Sequence, residues 1–303
     1  MQGVFERIMT TPHKPQHLYP RYSQRDKSET NSPRFVPNPH FFTTIVGGQW
    51  HTYSCSVWHG ASTITQAQEN KLNIFAKKMQ LKKGDRILDV SCGWGGPISY
   101  FCKQFGVEGV GITTVPEQYI YAEQRVKENR VQADIRFQHW QELPEDEIYD
   151  AIYADEAVVN LADAQGFFEK CKRLLKPDGK LVIKELHFTH STHAPKKNKP
   201  RCLANAIYGF TGKYRTLHEE LQLIDNAGLQ LENIDQIPIQ NYWITVHDQW
   251  LRALEDNKGF LCHLTNAKYV KNFSLCLYGY LRRFNNDVFR LHMITASPKG
   301  QAN

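Results

Sequence analysis

Two hydrophobic periods alternate along the chain between about residues 63 and 187. A helical pattern begins at Thr63, with Ser62 or Thr65 as its cap, and carries Leu72, Ile74, Phe75 and Met79 on its apolar side. Short apolar runs at 86–91, 107–112, 134–138, 149–154 and 180–187 predict buried strands. Helical patterns at 95–105, 116–129 and 163–175 lie between them, and Lys176-Pro177-Asp178-Gly179 reads as a helix stop and turn before the fifth strand. This alternation predicts an α/β fold built on a doubly wound, mostly parallel sheet. Further on, 217–227 reads as a helix stopped by Gly228, 229–236 as a sixth strand, 243–256 and 264–284 as helices and 287–296 as the last strand. The aperiodic first 38 residues, rich in Pro, His, Gln, Ser and Arg, predict a poorly ordered arm. Residues 39–85 then form a helical collar or lid, and 86–303 the core, with a polar capping insertion at about 188–216.

The strand at 86–91 runs into Cys92-Gly93-Trp94-Gly95-Gly96, and Asp89 sits where the strand opens into that turn. Strand, glycine turn and helix let a backbone approach a nucleotide closely, although such a turn also occurs with no ligand. A dinucleotide fingerprint needs a third glycine where this chain has Ile98, and a P-loop needs Gly-Lys-Ser/Thr, which is missing. The second strand ends on Thr113 rather than on the acidic residue that usually meets ribose hydroxyls, and Gln118 follows five residues later.

The turn resembles the first motif of class I S-adenosylmethionine methyltransferases, D-x-x-C-G-x-G, and implies their Rossmann-like sheet. Four segments in order resemble the cyclopropane-fatty-acid synthase family within that class: Tyr53-Ser54-Cys55-Ser56-Val57-Trp58, Thr113 to Gln118, His139-Trp140-Gln141, and Asn241-Tyr242-Trp243-Ile244-Thr245 with Trp250. The resemblance covers residue 40 to the C-terminus. It implies S-adenosylmethionine as cofactor and S-adenosylhomocysteine as product. Thr113, Gln118, Trp140 and Gln141 would meet ribose and adenine, Asp89, Gly93 and Gly95 would pack on the cofactor, and Tyr53 and Ser54 would close over its methionine part.

Composition narrows the partners. The 303 residues carry a net charge of +6, and neither a nucleic-acid-binding motif nor a run approaching a membrane span is present. The basic run at 196–201 reads as a solvated loop or as attraction to an anionic partner, and peripheral membrane contact remains compatible with the chain. Seven cysteines without C-x-x-C spacing, and an N-terminus without an apolar core, predict a reduced, cytoplasmic protein.

The acceptor chemistry should lie beyond the carboxyl end of the fourth strand, at Asp155-Glu156. The resemblance places Cys55 and Tyr242 in the catalytic set. The family's bicarbonate-holding glutamate and histidine fall on Val159 and Lys184, so bicarbonate would need other donors here. Glu156 instead matches the glutamate of sterol and prenyl-diphosphate C-methyltransferases, beside the carbocation. Methylating a C=C bond makes such a cation, which aromatic faces stabilise and a carboxylate can stabilise and deprotonate. Tyr208, Tyr214, Tyr242 and Trp243 belong to an aromatic-rich set around this site, and Lys184, His187, Lys213, Arg215, Arg282 and Arg283 are candidates for a diphosphate or phospholipid head. The pattern contains no dedicated metal cluster, so Mg²⁺ would enter only with a diphosphate. The expected activity is C-methylation of an isoprenoid or prenyl diphosphate alkene. Small-amine N-methylation and cyclopropane formation on unsaturated acyl lipids are the alternatives.

Overall fold

The computed structural model describes residues 38–193 and 213–300; the arm, the basic run, Tyr208 and most of the expected capping insertion lie outside them. Among the described residues, eight strands form a single sheet: β1 Arg86–Asp89, β2 Glu108–Thr113, β3 Ala133–Phe137, β4 Tyr149–Asp155, β5 Leu175–Phe188, β6 Arg215–Thr216, β7 Leu229–Ile237 and β8 Phe289–Pro298. Its order is β3-β2-β1-β4-β5-β8-β7, with β6 pairing β5 off that path. The pairs from β3 to β5 are parallel, and β8 lies antiparallel between β5 and β7. The doubly wound, mostly parallel sheet is therefore as expected.

The α-helices of the described residues are α1 Pro39–Val46, α2 Ile64–Met79, α3 Gly96–Phe105, α4 Pro116–Asn129, α5 Ala164–Leu174, α6 Leu217–Asn226, α7 Ile239–Trp243, α8 Arg252–Asp256, α9 Lys258–Leu264 and α10 Ala267–Asn285. One core layer gathers residues of α1 to α4 and α10 on one face of the sheet; a second gathers residues of α5 and α6 on the other. Alternation along β5 splits its side chains between them. Val182, Leu186 and Phe188 face the collar, while Leu181 and Ile183 face the α5 side.

The segment expected as a helical collar opens with α1, capped by the Asn38 side chain on His40 N. Two local expectations change. The fifth strand starts at Leu175: Leu175 pairs Tyr149 and Lys180 pairs Ala151, so 176–179 form an excursion within it. The helix expected at 243–256 is instead α7, a π-helical stretch Ile244–Leu251 and α8. That wider turn holds Thr245, whose hydroxyl accepts from Trp58 Nε1 at 2.9 Å and from Ser56 N at 3.2 Å. π stretches of this kind commonly mark functional positions.

Candidate active site

A cavity of about 670 Å³ opens over the carboxyl ends of β1, β2 and β4. In its first half the turn after β1 bends through Gly93 and Gly95, at φ of 51° and 73°. The three glycines of the turn do different things. A Cβ on Gly93 would meet only Ser91 O, at 3.9 Å, whereas one on Gly95 would lie 2.8 Å from Ala122 Cβ, and one on Gly96 would lie 1.6 Å from Trp50 O. Gly93 lines the cavity; Gly95 does not, and its place is against α4 rather than beside a cofactor. Asp89 is buried, accepting from Tyr153 OH at 2.5 Å and Ser91 N at 3.2 Å, and burial pushes its carboxyl up to about 7.

Thr113 and Gln118 come together, the threonine hydroxyl donating to Gln118 Oε1 at 2.9 Å. Trp140 lines the cavity and is 5% exposed; its Nε1 is buried with no hydrogen-bond partner among the described residues. Gln141 is exposed and stands outside the cavity wall, because the turn that buries Trp140 points its neighbour outward.

In the second half, the segment after α1 crosses the strand tips. Tyr53 stacks on Trp250 with ring centroids 4.9 Å apart. Beneath it lies a closed set of charges. Lys71 Nζ is 2.7 Å from Asp155 Oδ2, which also accepts from Ser54 Oγ at 2.6 Å. Lys184 Nζ is 2.9 Å from Asp155 Oδ1, 2.5 Å from Glu156 Oε1 and 3.0 Å from Cys55 O. Cys55 N donates to Glu156 Oε1 at 2.8 Å. Two fully buried ammonium groups thus balance two carboxylates. Asp155 and Glu156 hold Lys184 well above the usual lysine range, while burial pushes Lys71 down. Glu156 itself sits at φ 55°, a left-handed conformation of about 1 kcal/mol or more. The Cys55 thiol lies outside the cavity wall, packed on Thr245, and burial pushes it up to about 12.

The period missed Lys71. The apolar period puts Leu72 and Phe75 on the buried side of α2, and Lys71 shares that side with Ala67, Phe75 and Met79. A lysine at i−4 to a core phenylalanine was the signal. It also missed Glu185, a cavity-lining carboxyl that is 1% exposed and accepts from Val159 N and Leu186 N, each at 2.9 Å.

The expected phosphate contacts need correcting. Lys184 is internal, consumed by Asp155 and Glu156. His187 is 1% exposed, with its Nδ1 3.2 Å from that of His292, and is pushed down to about 3 by burial. Arg215 pairs with Glu220. β5 extends far enough to pair His187 with Arg215 of β6, which places both inside the sheet rather than at an open mouth. Trp243 is 38% exposed and stacks on His247 away from the cavity. Tyr214 and Tyr242 do line it, Tyr242 stacked on Phe284 at 3.8 Å.

These shifts set a pH dependence. The folded state raises Asp89, Glu185 and Glu220 to about 7, 8 and 7, and lowers His51, His187 and His292 to about 4, 3 and 4. Below the ordinary histidine range the two sets oppose each other. Above it, the raised carboxyls keep protons that the unfolded chain has already lost, so stability falls with rising pH. The melting temperature is expected to drop by about 3–6 °C between pH values of roughly 6.5 and 8.5. Scanning calorimetry should show a smaller drop in Glu185→Gln.

A mostly parallel sheet with glycine turn, ringed cavity and strand-tip carboxylates, wound in this order, is the class I methyltransferase fold. The model of the family described as mycolic acid cyclopropane synthetase matches residues 25–294, and the chain belongs to that family. A relative named probable fatty acid methyltransferase, from Pseudomonas putida, is 26% identical over 254 residues, covering 80% of this chain and 63% of its own. The chain therefore spans less than two thirds of that relative. Two solved structures share the fold. The cyclopropane synthase MmaA2 of Mycobacterium tuberculosis has a TM-score of 0.77 at 20% identity, over 86% of this chain and 94% of its own. The mycolic acid cyclopropane synthase CmaA1 complexed with SAH and CTAB has a TM-score of 0.76 at 22% identity, over 85% and 93%. Among the described residues, no helix is long and apolar enough to cross a membrane.

Proposed function

We propose that this chain is an S-adenosylmethionine-dependent methyltransferase that alkylates an alkene carbon of an isoprenoid or prenyl diphosphate through a carbocation. The observation that carries this is Glu156, displayed in an aromatic-lined cavity and held there by Lys184 and Cys55 N. Family membership and the fold shared with an SAH-bound structure support the cofactor. So do the open side of Gly93, where a backbone can be approached, and the unpartnered Trp140 Nε1, which seeks an acceptor. When bound, S-adenosylmethionine supplies an electrophilic methyl whose sulfur keeps the bonding pair. Trp140, Thr113 and Gln118 would hold its nucleoside, and Tyr53 and Ser54 would cover its methionine part.

The acceptor's π pair forms the new C–C bond, leaving the neighbouring carbon positive. Rings beside it, each contributing very roughly 1–2 kcal/mol when desolvated, and the Glu156 carboxylate stabilise that charge. Loss of a proton from an adjacent skeletal carbon to Glu156 restores an alkene. Loss from the transferred methyl would instead close a cyclopropane on an unsaturated acyl chain, a second reading favoured by the family match. Both carboxyl groups here suit a cation better than bicarbonate. With Lys184, His187 and Arg215 internal, a diphosphate head would fall to Lys213, Arg282 and Arg283, and Mg²⁺ would come only with it.

Glu156→Gln is expected to lower turnover by roughly 10²–10⁴-fold while S-adenosylhomocysteine affinity holds. Mass spectrometry of products from geranyl diphosphate and from monounsaturated phospholipid vesicles checks this. Undiminished turnover would take Glu156 out of the reaction.

A further inference from the structure

The cavity's carboxyl groups differ in what answers their charge. Asp155 and Glu156 are ion-paired to Lys184, and Asp155 also to Lys71. Asp89 is taken up by Tyr153 and by the turn after β1. Glu185 is different. It is 1% exposed, has no ion pair among the described residues, and spends one lone pair of each oxygen on a backbone N–H. A carboxylate oxygen accepts more than one donor or cation, so coordination capacity remains. Tyr214, Tyr242 and Tyr280 are among the six tyrosines of the cavity wall it joins. Tyr214 and Tyr280 are bonded OH to OH at 2.7 Å, and the Tyr214 phenol feels both Glu185 and Tyr242.

We propose that Glu185, with the rings of Tyr214, Tyr242 and Tyr280, forms a binding site for a compact organic monocation. Ring faces and a desolvated carboxylate are the groups that recognise such ions. In the methyl transfer proposed above, on which the biological meaning of this site rests, the occupant is the positive charge formed on the acceptor. A quaternary ammonium is its stable mimic.

Linkage makes the site testable without knowing the acceptor. With the cavity unfilled, burial, together with Glu220 and Glu156, pushes the Glu185 carboxyl up to about 8. The other groups around it are His292, directly opposite on β8, His187 on its own strand, and Arg215, which is paired to Glu220. Both histidines are pushed down to about 4 and 3 and stay neutral above pH 6. Glu220, beside it, and Asp89, elsewhere on the cavity wall, both titrate at about 7. A cation binds the ionised carboxylate, so its affinity rises with pH until Glu185 is ionised, and binding below that point releases a proton.

The probes are choline and its neutral isostere 3,3-dimethylbutan-1-ol, titrated calorimetrically into the full chain with and without S-adenosylhomocysteine, in buffers of different ionisation enthalpy. Choline is expected to bind roughly twenty-fold tighter near pH 8.5 than near pH 6.5, releasing close to one proton at the lower pH. The isostere is expected to bind at least about ten-fold more weakly near pH 8.5, without pH dependence. Glu185→Gln should lose both the affinity and the proton release. Equal binding of the two probes, no choline binding, or proton release that persists in Glu185→Gln would overturn the site; the last would assign the proton to Asp89 or Glu220. If that variant does not fold, proton release and isostere discrimination in the native chain decide. S-adenosylhomocysteine binding without choline selectivity removes this site and leaves the methyltransferase reading. Choline selectivity without S-adenosylhomocysteine binding does the reverse.

Discussion

Gly96→Ala is expected to cost about 3 kcal/mol or more and to weaken S-adenosylhomocysteine binding at least about 100-fold. The added methyl would lie 1.6 Å from the Trp50 carbonyl oxygen, an overlap of backbone with side chain that no rotamer change relieves. Trp50 has little freedom to retreat. Its N–H donates to Gln68 at 3.1 Å, its indole to Glu69 at 3.0 Å, and its ring lies edge-on to Tyr100 at 5.0 Å. Either α3 or the collar must therefore shift, and the collar continues directly into Thr52, Tyr53 and Ser54 on the cavity wall. Melting should fall by about 6–12 °C. Calorimetry of Gly96→Ala beside Gly93→Ala separates the causes. The Gly93 variant carries strain from its positive φ and puts a methyl into open space, so it should disturb the ligand more than the fold. Native affinity in the Gly96 variant would show that the collar is not held against α3.

The second large effect belongs to Lys184→Met. This change removes the cation shared by Asp155, Glu156 and the Cys55 carbonyl and leaves two carboxylates facing one remaining lysine. Breaking a buried ion pair by deleting one partner typically costs about 3–5 kcal/mol, because the surviving charge stays desolvated. A melting drop of about 10 °C follows for a chain of this size. Adding Glu156→Gln to the same chain should recover part of it, since the orphaned charge is then gone. Thermal melts of the single and double variants check the cycle. A single variant melting within about 2 °C of the native protein would mean that the network contributes little to holding the collar on the sheet.

Much of this was legible in the one-dimensional pattern. All of the sheet's strands but β6, the glycine turn and the display of Glu156 beyond β4 follow from local signals: period, turn residues, and the rule that open α/β sheets work at their strand tips; Thr113, Gln118 and Trp140 are singled out by the family resemblance. Roles that depend on which face a residue takes were not legible. Lys184 and His187 look alike as basic residues near the end of one strand. Yet a period of two sends Lys184 to the collar and its carboxylates, and His187 to the opposite face beside His292. The three glycines likewise read as one cofactor motif, until packing shows Gly95 serving α4, Gly96 serving the collar, and Gly93 alone open to the cavity.

The sequence by itself determined what is written in near neighbours: most of the strands and helices, the turn that exposes backbone to a ligand, and the family. Tertiary structure alone decided how the buried charges combine. Lys71 comes from α2, Asp155 and Glu156 from the end of β4 and Lys184 from β5, and Glu185 of β5 reaches Val159 in the turn that follows β4. A charge is affordable in the interior only where a partner meets it, and that meeting is a property of distances in space, which no spacing along the chain encodes.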